Sequence, residues 1–201
     1  MTGDAAPTAG ISYAAYLALE QDTGVRHEWV DGVAYAMAGG TPAHNRLCAQ
    51  VIMELGRILG DGPCGVYTAD QKIRPRSGRF ASYPDAAVVC GEVETHPDDP
   101  NAILNPVVLV EVLSDSTEPW DRAGKFRRYR RLATLRDYVL VSQHERCVEV
   151  YSRGPDGVWQ LREAVEGGSV PLTAFEGAVE VDRVYRGVTL TPYATGERPA
   201  G

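Results

Sequence analysis

The apolar and polar positions of the first 60 residues predict two helices with a hairpin between them. Ser12 can cap a short helix, and the Asp31-Gly32 pair lies between two extended runs, which is the strongest short hairpin signal. A longer helix follows, with Thr41 as its cap and Pro42 as its first residue. Gly60 ends this helix. Apolar residues recur along it with the helical period and form one core-facing stripe: Leu47, Val51, Ile52, Leu55 and Leu59.

From position 66 the pattern becomes extended. Apolar runs predict strands at 66–74, 85–90 and 107–113, and the acidic, turn-rich stretch GEVETHPDDPN before the last of them predicts an exposed loop. A helix is predicted at 120–133, followed by the strand DYVLVSQ and by the hairpin-like pair CVEVYSR and VWQLRE. Residues 164–188 contain short extended pieces whose order the pattern does not predict.

These elements predict a mixed α/β fold in one domain. The helix at 120–133 connects the strand at 107–113 to the next strand, and a crossover of this kind places two strands side by side and parallel. The run VVLVEVL does not alternate, which is typical of a central strand covered on both faces. We expect a single domain over residues 11–190, with flexible tails at 1–10 and 191–201.

Composition narrows the class of protein. The chain has 201 residues and a formal net charge of −7, so its overall charge does not favour a nucleic-acid partner, and any such binding would need a local patch. Its four cysteines are far apart and form no CxxC pair, which indicates reduced thiols and no zinc ribbon. No apolar run approaches the ~20 residues of a membrane span, and no leader pattern opens the chain. We therefore expect a cytoplasmic protein that does not enter a membrane.

One lysine lies on a helix face where apolar residues are expected. On a 3.6-residue period, Lys125 projects from the same face as Phe126, Tyr129 and Leu132. The buried-strand pattern just upstream contains one carboxylate, Glu111. Burying an ammonium and a carboxylate is costly unless the two groups are paired or take part in chemistry.

A third group, Asp85, opens the strand at 85–90 and can join this pair. Two carboxylates from neighbouring strands, with waters and substrate oxygens, are a usual way to hold Mg²⁺. A lysine beside the ion could orient an attacking water and stabilise charge developing on phosphorus. Alternatively, Glu111 and Lys125 form a structural ion pair and Asp85 is a turn residue after a proline.

The order of these motifs resembles the Uma2 family of endonuclease-like proteins, formerly DUF820, within the PD-(D/E)XK nuclease superfamily. The likeness is carried by YPDAAVV, PVVLVEVLSDST and DRAGKFRRY, with HEWVDGVAYAMAGGTPAHNRL upstream, and it covers roughly residues 12–155. It implies a restriction-endonuclease-like core with added β-hairpins. It also implies DNA phosphodiester hydrolysis that depends on Mg²⁺ or Mn²⁺, with Asp85 and Glu111 as metal ligands.

The chain departs from the superfamily pattern at one position. Leu113 stands two residues after Glu111, where the wider superfamily has a lysine. The resemblance implies that Lys125, on the next helix, supplies the missing ammonium. It also implies a catalytic role for Glu28, as a further ligand or as an acceptor behind the ligands. The alternative for Glu28 is an ordinary polar residue on the outer face of a hairpin.

Basic residues near this site suggest contacts with DNA. Arg127, Arg130 and Arg131 point away from the apolar face of the predicted helix and can contact phosphates, or they can form a plain solvated face. The resemblance also places a histidine, His44, in the first turn of the longer helix, where it can contact a phosphate or serve in capping and packing. Asp121 can support the metal from behind, although a favourable helix-start charge explains it more simply.

Three functions fit these residues. The leading hypothesis is a metal-dependent endonuclease, and the main alternative is a non-catalytic binding or scaffold protein that retains the nuclease fold. The position of Lys125 relative to both carboxylates discriminates between them. A metal hydrolase acting on a small phosphorylated molecule is a third possibility and would require a closed pocket. A homodimer would suit double-strand cleavage, which commonly uses two sites, but nothing in the sequence indicates one.

Overall fold

The structure of the chain is a computed structural model that describes residues 7–192. Its helical elements are α1 (Tyr13–Thr23), α2 (Pro42–Leu59), a π-helix (Trp120–Lys125) that continues directly into α3 (Phe126–Tyr129), and α4 (Val181–Val184). Its strands are β1 (His27–Val30), β2 (Val33–Ala36), β3 (Cys64–Thr68), β4 (Lys72–Ile73), β5 (Phe80–Ala81), β6 (Ala86–Cys90), β7 (Thr95–His96), β8 (Asp99–Ile103), β9 (Val108–Val112), β10 (Asp137–Val141), β11 (Cys147–Arg153), β12 (Trp159–Val165), β13 (Ser169–Pro171) and β14 (Ala178–Glu180).

A six-stranded mixed sheet forms the centre of the domain, in the order β12-β11-β10-β9-β6-β3. Strands β9 and β10 are parallel, as the crossover predicts, and the other neighbours in this sheet are antiparallel. Every residue of β9 is buried, because both faces of the strand are covered. Smaller sheets, β2-β1-β5, β4-β8-β7 and β13-β14, lie beside this centre, and the mixed α/β class predicted from the sequence is confirmed.

Two apolar clusters cover the two faces of the central sheet. One cluster packs Leu47, Val51 and Leu55 of α2 against Val110 and its neighbours. The other packs Tyr129, Leu132 and Leu135 against Leu109, Tyr138 and the alternate residues of the same strands. Because successive side chains of a strand point to opposite faces, β9 contributes to both clusters. The residues at the ends of β6 and β9 are therefore held between two packed apolar clusters.

The helix caps and the hairpin turn predicted from the sequence are confirmed for the first elements. Ser12 caps α1, and Thr41 caps α2 by accepting the backbone N–H of His44, with Pro42 as the first helical residue. Asp31 and Gly32 form the β1–β2 turn with φ angles of 52° and 90°. Both residues of such a turn need positive φ, which explains the Asp-Gly pair.

Three predicted elements need correction. The helix expected at 120–133 is shorter, since it begins as a π-helix and its α-helical part ends at Tyr129. The chain then turns, and Leu132 and Leu135 return to the core. The strand expected at 66–74 is divided into β3 and β4, which belong to different sheets. The stretch expected as an exposed loop, residues 91–101, contains β7 and the start of β8, because these two strands pair with each other. The end of β8, after this stretch, pairs with β4.

The prediction of four reduced thiols is wrong for two of them. Cys64 and Cys90 form a disulfide across the antiparallel strands β3 and β6, where the register places them directly opposite each other. A sequence separation of 26 residues gave no sign of this pairing, because only the sheet brings the two positions together.

The predicted tails lie mostly outside residues 7–192. Within the N-terminal one, Thr8 exchanges two backbone hydrogen bonds with Ala34, at 3.0 and 2.8 Å. Across residues 7–192, none of the helices has the length and apolar character that crossing a bilayer requires.

Candidate active site

A cleft with a volume of about 610 Å³ opens at one end of the central sheet. Its walls come from the β1–β2 hairpin, the segment leading into α2, the ends of β6 and β9, and the π-helix. The charged and titratable residues in the walls, apart from two tyrosines, are Glu28, His44, Asp85, Glu111, Asp121 and Lys125. Five of these six, all except Asp121, are the site residues predicted from the sequence, and they come from five separate segments of the chain.

Lys125 is the centre of an ion cluster inside this cleft. Its ammonium nitrogen lies 2.9 Å from Glu111 Oε2, 3.0 Å from Glu28 Oε1 and 3.0 Å from Asp121 Oδ1. The side chain is buried, and burial alone would lower the pKa of Lys125, but the charges of Glu111 and Glu28 outweigh it and raise that pKa well above its usual value. Lys125 therefore carries a positive charge at neutral pH.

Glu111 is held on both of its carboxylate oxygens. Oε2 accepts a hydrogen bond from Lys125, and Oε1 accepts one from the hydroxyl of Tyr129 at 2.9 Å. Tyr129 also shares a hydrogen bond of 2.8 Å with Ser82. Burial raises the pKa of Glu111 well above its usual value; Lys125 opposes this shift, while Asp121 adds to it. The cluster thus contains a carboxylate whose ionised form depends on nearby positive charge.

Asp85 lies beside Glu111 because of the strand register. Strands β6 and β9 pair Ala86 with Val110, so the next position in each strand brings Asp85 alongside Glu111. Asp85 Oδ2 accepts the backbone N–H of Val112 at 2.7 Å, which ties the carboxylate to β9. The two acids predicted as metal ligands therefore stand at the same place on the sheet.

His44 contacts the other oxygen of Asp85. Its Nε2 lies 3.2 Å from Asp85 Oδ1. Burial alone would lower the pKa of His44, but the hydrogen bond to Asp85 and its negative charge outweigh this effect and raise the pKa above 6.5. Cys48, one helical turn further along α2, places its thiol near the same carboxylate, and burial followed by the charge of Asp85 raises the pKa of this thiol.

Glu28 and Asp121 complete the acidic wall. The indole N–H of Trp120 donates to Glu28 Oε2 at 3.1 Å. Within residues 7–192, Glu28 Oε1 and Asp121 Oδ1 are buried and accept no hydrogen bond, although each lies 3.0 Å from Lys125. Burial raises the pKa of Asp121, and Lys125 opposes that shift.

The charge balance of the cleft fits a divalent cation. Four carboxylates, of Glu28, Asp85, Glu111 and Asp121, face one ammonium and one histidine. Three of these carboxylates already share the single ammonium of Lys125, and one lysine cannot neutralise four carboxylates at short range, so the cleft keeps an excess of negative charge. Hard divalent ions such as Mg²⁺ take oxygen ligands of this kind, with water completing the coordination.

For Asp121 the sequence favours a helix-start charge over a position behind the metal ligands, but the structure places its carboxylate in this cluster, in contact with Lys125. It lies four residues before Lys125, and side chains at this spacing on a helix are neighbours. That spacing was the available signal.

The three arginines predicted to contact DNA are exposed, as expected, but they are not among the residues lining the cleft. They are Arg127, Arg130 and Arg131. By contrast, Arg128 of the same segment is largely buried and pairs with Asp31 at 2.6 Å. The exposed arginines thus lie on α3 and on the two residues that follow it, outside the lining of the acidic cleft.

Comparison with known proteins gives one family and one fold. The model of the Uma2 family, described as "Putative restriction endonuclease", matches residues 13–183. Two Synechocystis proteins, both described as uncharacterized, are similar over most of their length. Slr1290 is 33% identical over 91% of this chain and 95% of its own, and sll1609 is 30% identical over 79% and 89%.

A crystal structure of a protein from Anabaena variabilis, described as a putative nuclease belonging to DUF820, superimposes with a TM-score of 0.65. The two share 13% identity, and the match covers 81% of this chain and 91% of the other. This likeness shows the shared fold.

Proposed function

We propose that this chain, which belongs to the Uma2 family, is an endonuclease that hydrolyses DNA phosphodiester bonds with the help of a divalent metal ion. The observation that carries the proposal is the 2.9 Å contact between Lys125 and Glu111, next to Asp85. Leu113 stands where the wider superfamily has a lysine and cannot supply an ammonium. Lys125, on the π-helix, brings an ammonium to Glu111 instead. The description of the family and of the Anabaena protein as nucleases supports the same reaction class.

In this proposal, Asp85 and Glu111 hold Mg²⁺ or Mn²⁺ through their carboxylate oxygens. Such an ion polarises a phosphoryl oxygen and lowers the pKa of a bound water. The backbone N–H of Val112 and the hydroxyl of Tyr129 orient the two carboxylates, so neither has to reorganise when the ion binds.

Lys125 acts as a fixed positive charge in this proposal. Held between three carboxylates, its ammonium would orient the attacking water and stabilise negative charge on the phosphoryl oxygens. Glu28 and Asp121 hold the ammonium in place from two further sides. His44 keeps Asp85 aligned through its hydrogen bond at 3.2 Å.

We further propose that Arg127, Arg130 and Arg131 contact phosphates away from the reacting one. All three are exposed on one short segment, and the acidic cleft alone would repel a polyanion. Cleavage of both strands of a duplex would bring two copies of the chain together, each with one site.

The experiment compares variants in the cleft with matched variants outside it. Lys72 is also a buried lysine between two carboxylates, 2.9 Å from Glu20 and 3.0 Å from Asp99, but it does not line the cleft. Lys125→Met is therefore compared with Lys72→Met. Asp85→Asn is compared with Asp137→Asn, a buried carboxylate bonded to Ser152 and to the 173–174 backbone.

Cleavage of supercoiled, linear and single-stranded DNA is measured with Mg²⁺, with Mn²⁺ and with a chelator. We expect metal-dependent cleavage by the wild type and a loss of about 100-fold or more in Lys125→Met and Asp85→Asn. The two matched variants, once shown to be folded by circular dichroism, should keep most of the activity. No cleavage of any DNA form with either metal, or equal cleavage by Lys125→Met, would rule the proposal out.

A non-catalytic DNA-binding protein is the second candidate. It is favoured by one observation: three carboxylates already surround Lys125, which is also what a purely structural cluster requires. In that case the wild type would bind DNA in a salt-dependent manner without cutting it, and Arg130→Ala would weaken this binding while Lys125→Met would not.

A further inference from the structure

Three different metal-ligating groups meet beside the cleft, on α2 and at the start of β6. The ring nitrogen of His44, the thiol sulfur of Cys48 and a carboxylate oxygen of Asp85 all lie within 4.8 Å of one another. We propose that these three residues form a binding site for a thiophilic divalent ion such as Zn²⁺ or Co²⁺. This site differs from the oxygen-ligand site of Asp85 and Glu111, with which it shares one carboxylate.

The backbone already provides the geometry that such a site needs. His44 and Cys48 are four residues apart on α2, so their side chains lie one above the other on the same helix face. Thr41 caps the helix at its start, and Leu47 and Val51, at neighbouring positions of the same face, pack into the core, so both ligands project from a fixed element. Asp85 is fixed independently by its hydrogen bond to Val112.

The distances are close to those of a tetrahedral site. Ligand atoms bound to zinc at roughly 2.0–2.3 Å lie about 3.3–3.8 Å from one another. His44 Nε2 and Asp85 Oδ1 are already 3.2 Å apart, and the whole set lies within 4.8 Å. Binding would thus require the ligand atoms to approach one another by at most roughly 1–1.5 Å. A water molecule would complete a four-coordinate site.

The ligand types select the metal. A thiolate and an imidazole favour Zn²⁺, Co²⁺ and related ions, whereas Mg²⁺ prefers oxygen ligands. Binding would release the thiol proton of Cys48 to solvent, because the thiolate is the ligand. Glu111 and Lys125 take no part, so the inference does not rest on the proposed nuclease activity.

Cobalt is the probe for this site, since a thiolate bonded to Co²⁺ gives a charge-transfer band in the near ultraviolet. The protein is purified without reductant, so that the Cys64–Cys90 disulfide persists and Cys48 and Cys147 are the remaining thiols. We expect one equivalent of Co²⁺ to produce the band in the wild type, and Zn²⁺ to bleach it.

Single substitutions test whether cobalt binds at this site, at the other thiol or at the proposed catalytic site. Cys48→Ser should lose the band while keeping the wild-type circular dichroism, and His44→Gln should weaken Co²⁺ binding by about tenfold or more. Cys147→Ala, which alters the other cysteine outside the disulfide, should keep the band. Glu111→Gln should also keep it, although it removes a proposed Mg²⁺ ligand.

The proposal is overturned if the wild type gives no saturable thiolate–cobalt band, or if Cys48→Ser retains it. Loss of the band in Cys147→Ala instead would assign the metal to another place and would equally overturn it. If the wild type gives the thiolate–cobalt band but cleaves no DNA, the metal site proposed here is supported and only the nuclease proposal is contradicted.

Discussion

The ammonium of Lys125 lies 2.9 Å from Oε2 of Glu111, although the two residues belong to different elements and are 14 positions apart in the chain. Glu28 and Asp121 contact the same ammonium, so one positive charge faces three carboxylates. Such a cluster has more negative than positive charge, so removing a carboxylate and removing the ammonium should have opposite effects. The stability of the protein should therefore respond to changes in the charge of this site, even without a substrate.

Replacing Glu111 should make the metal-free protein at least as stable as the wild type. Glu111→Gln removes one of four crowded carboxylates; its amide oxygen can still accept from Lys125, and its NH2 group can donate to the hydroxyl of Tyr129, which can in turn donate to Ser82. We expect the metal-free Tm to be equal or higher, and the rise in Tm that Mg²⁺ produces in the wild type to disappear. Differential scanning calorimetry with and without Mg²⁺ measures both. An equal Mg²⁺-induced rise in both proteins would show that Glu111 is not a ligand.

Removing Lys125 should destabilise the protein in a pH-dependent way. Lys125→Met leaves buried carboxylates without their counter-charge, a change that typically costs about 3–5 kcal/mol. Burial already raises the pKa values of Glu111 and Asp121, and they rise further once the ammonium is gone. The folded state then binds more protons than the unfolded state, so the stability of the variant should recover as pH falls from neutral toward 5. Urea unfolding at a series of pH values measures this, and a pH-independent deficit would contradict it.

The hydroxyl of Tyr129 should contribute to stability through two buried hydrogen bonds. It donates to Glu111 Oε1 at 2.9 Å and lies 2.8 Å from Ser82 Oγ. Tyr129→Phe leaves both partners unsatisfied, and we expect a loss of about 1–3 kcal/mol in the free energy of unfolding. Tyr151→Phe is a suitable control, because Tyr151 is only partly buried and, like Tyr129, packs against the ring of Tyr138. An equal loss in the two variants would assign the effect to general packing.

The Cys64–Cys90 disulfide should be detectable chemically and thermodynamically. It closes a loop of 26 residues, which should restrict the unfolded chain by about 3 kcal/mol. Thiol titration of the unreduced, denatured protein should find two thiols for each chain, and the double variant Cys64→Ser/Cys90→Ser should unfold at a lower urea concentration. Four titratable thiols would mean that the bond does not form.

Acid should weaken the contact between α2 and β14 through Glu54. This carboxylate accepts two hydrogen bonds from Arg57, each 2.8 Å, and one from the backbone N–H of Glu180. Burial alone would raise the pKa of Glu54, but these hydrogen bonds outweigh it and lower the pKa below 4.5. The stabilisation is therefore present above pH 4.5 and is lost as pH falls through the lowered pKa.

The measurement is the difference in unfolding free energy between the wild type and Glu54→Gln from pH 7 to pH 3. We expect the wild-type advantage to shrink over the acidic part of this range. Glu163→Gln, which changes an exposed carboxylate on β12, serves as the matched control. A wild-type advantage that stays constant down to pH 3 would show that Glu54 makes no such contribution.

The elements that short-range chemistry specifies were predictable from the chain. Asp31 and Gly32 form the predicted hairpin turn, and Thr41, Pro42 and Gly60 bound α2 as expected. The helix after β9 was not predicted correctly at its end, because the turn after Tyr129 depends on where Leu132 and Leu135 reach the core. Helix caps and hairpin turns involve neighbours in sequence, whereas helix length here depends on packing.

The anomalous Lys125 and the buried-strand Glu111 were visible as a costly combination of residues, and the structure joins them in one ion cluster. Cys48 gained its importance only from a contact across the fold, with Asp85. The same holds for the disulfide, which joins cysteines of two strands that are 26 residues apart in the chain. Residue type and spacing reveal which groups are expensive to bury, but the order and register of the strands determine which of them meet, because those pairings join positions far apart in the chain.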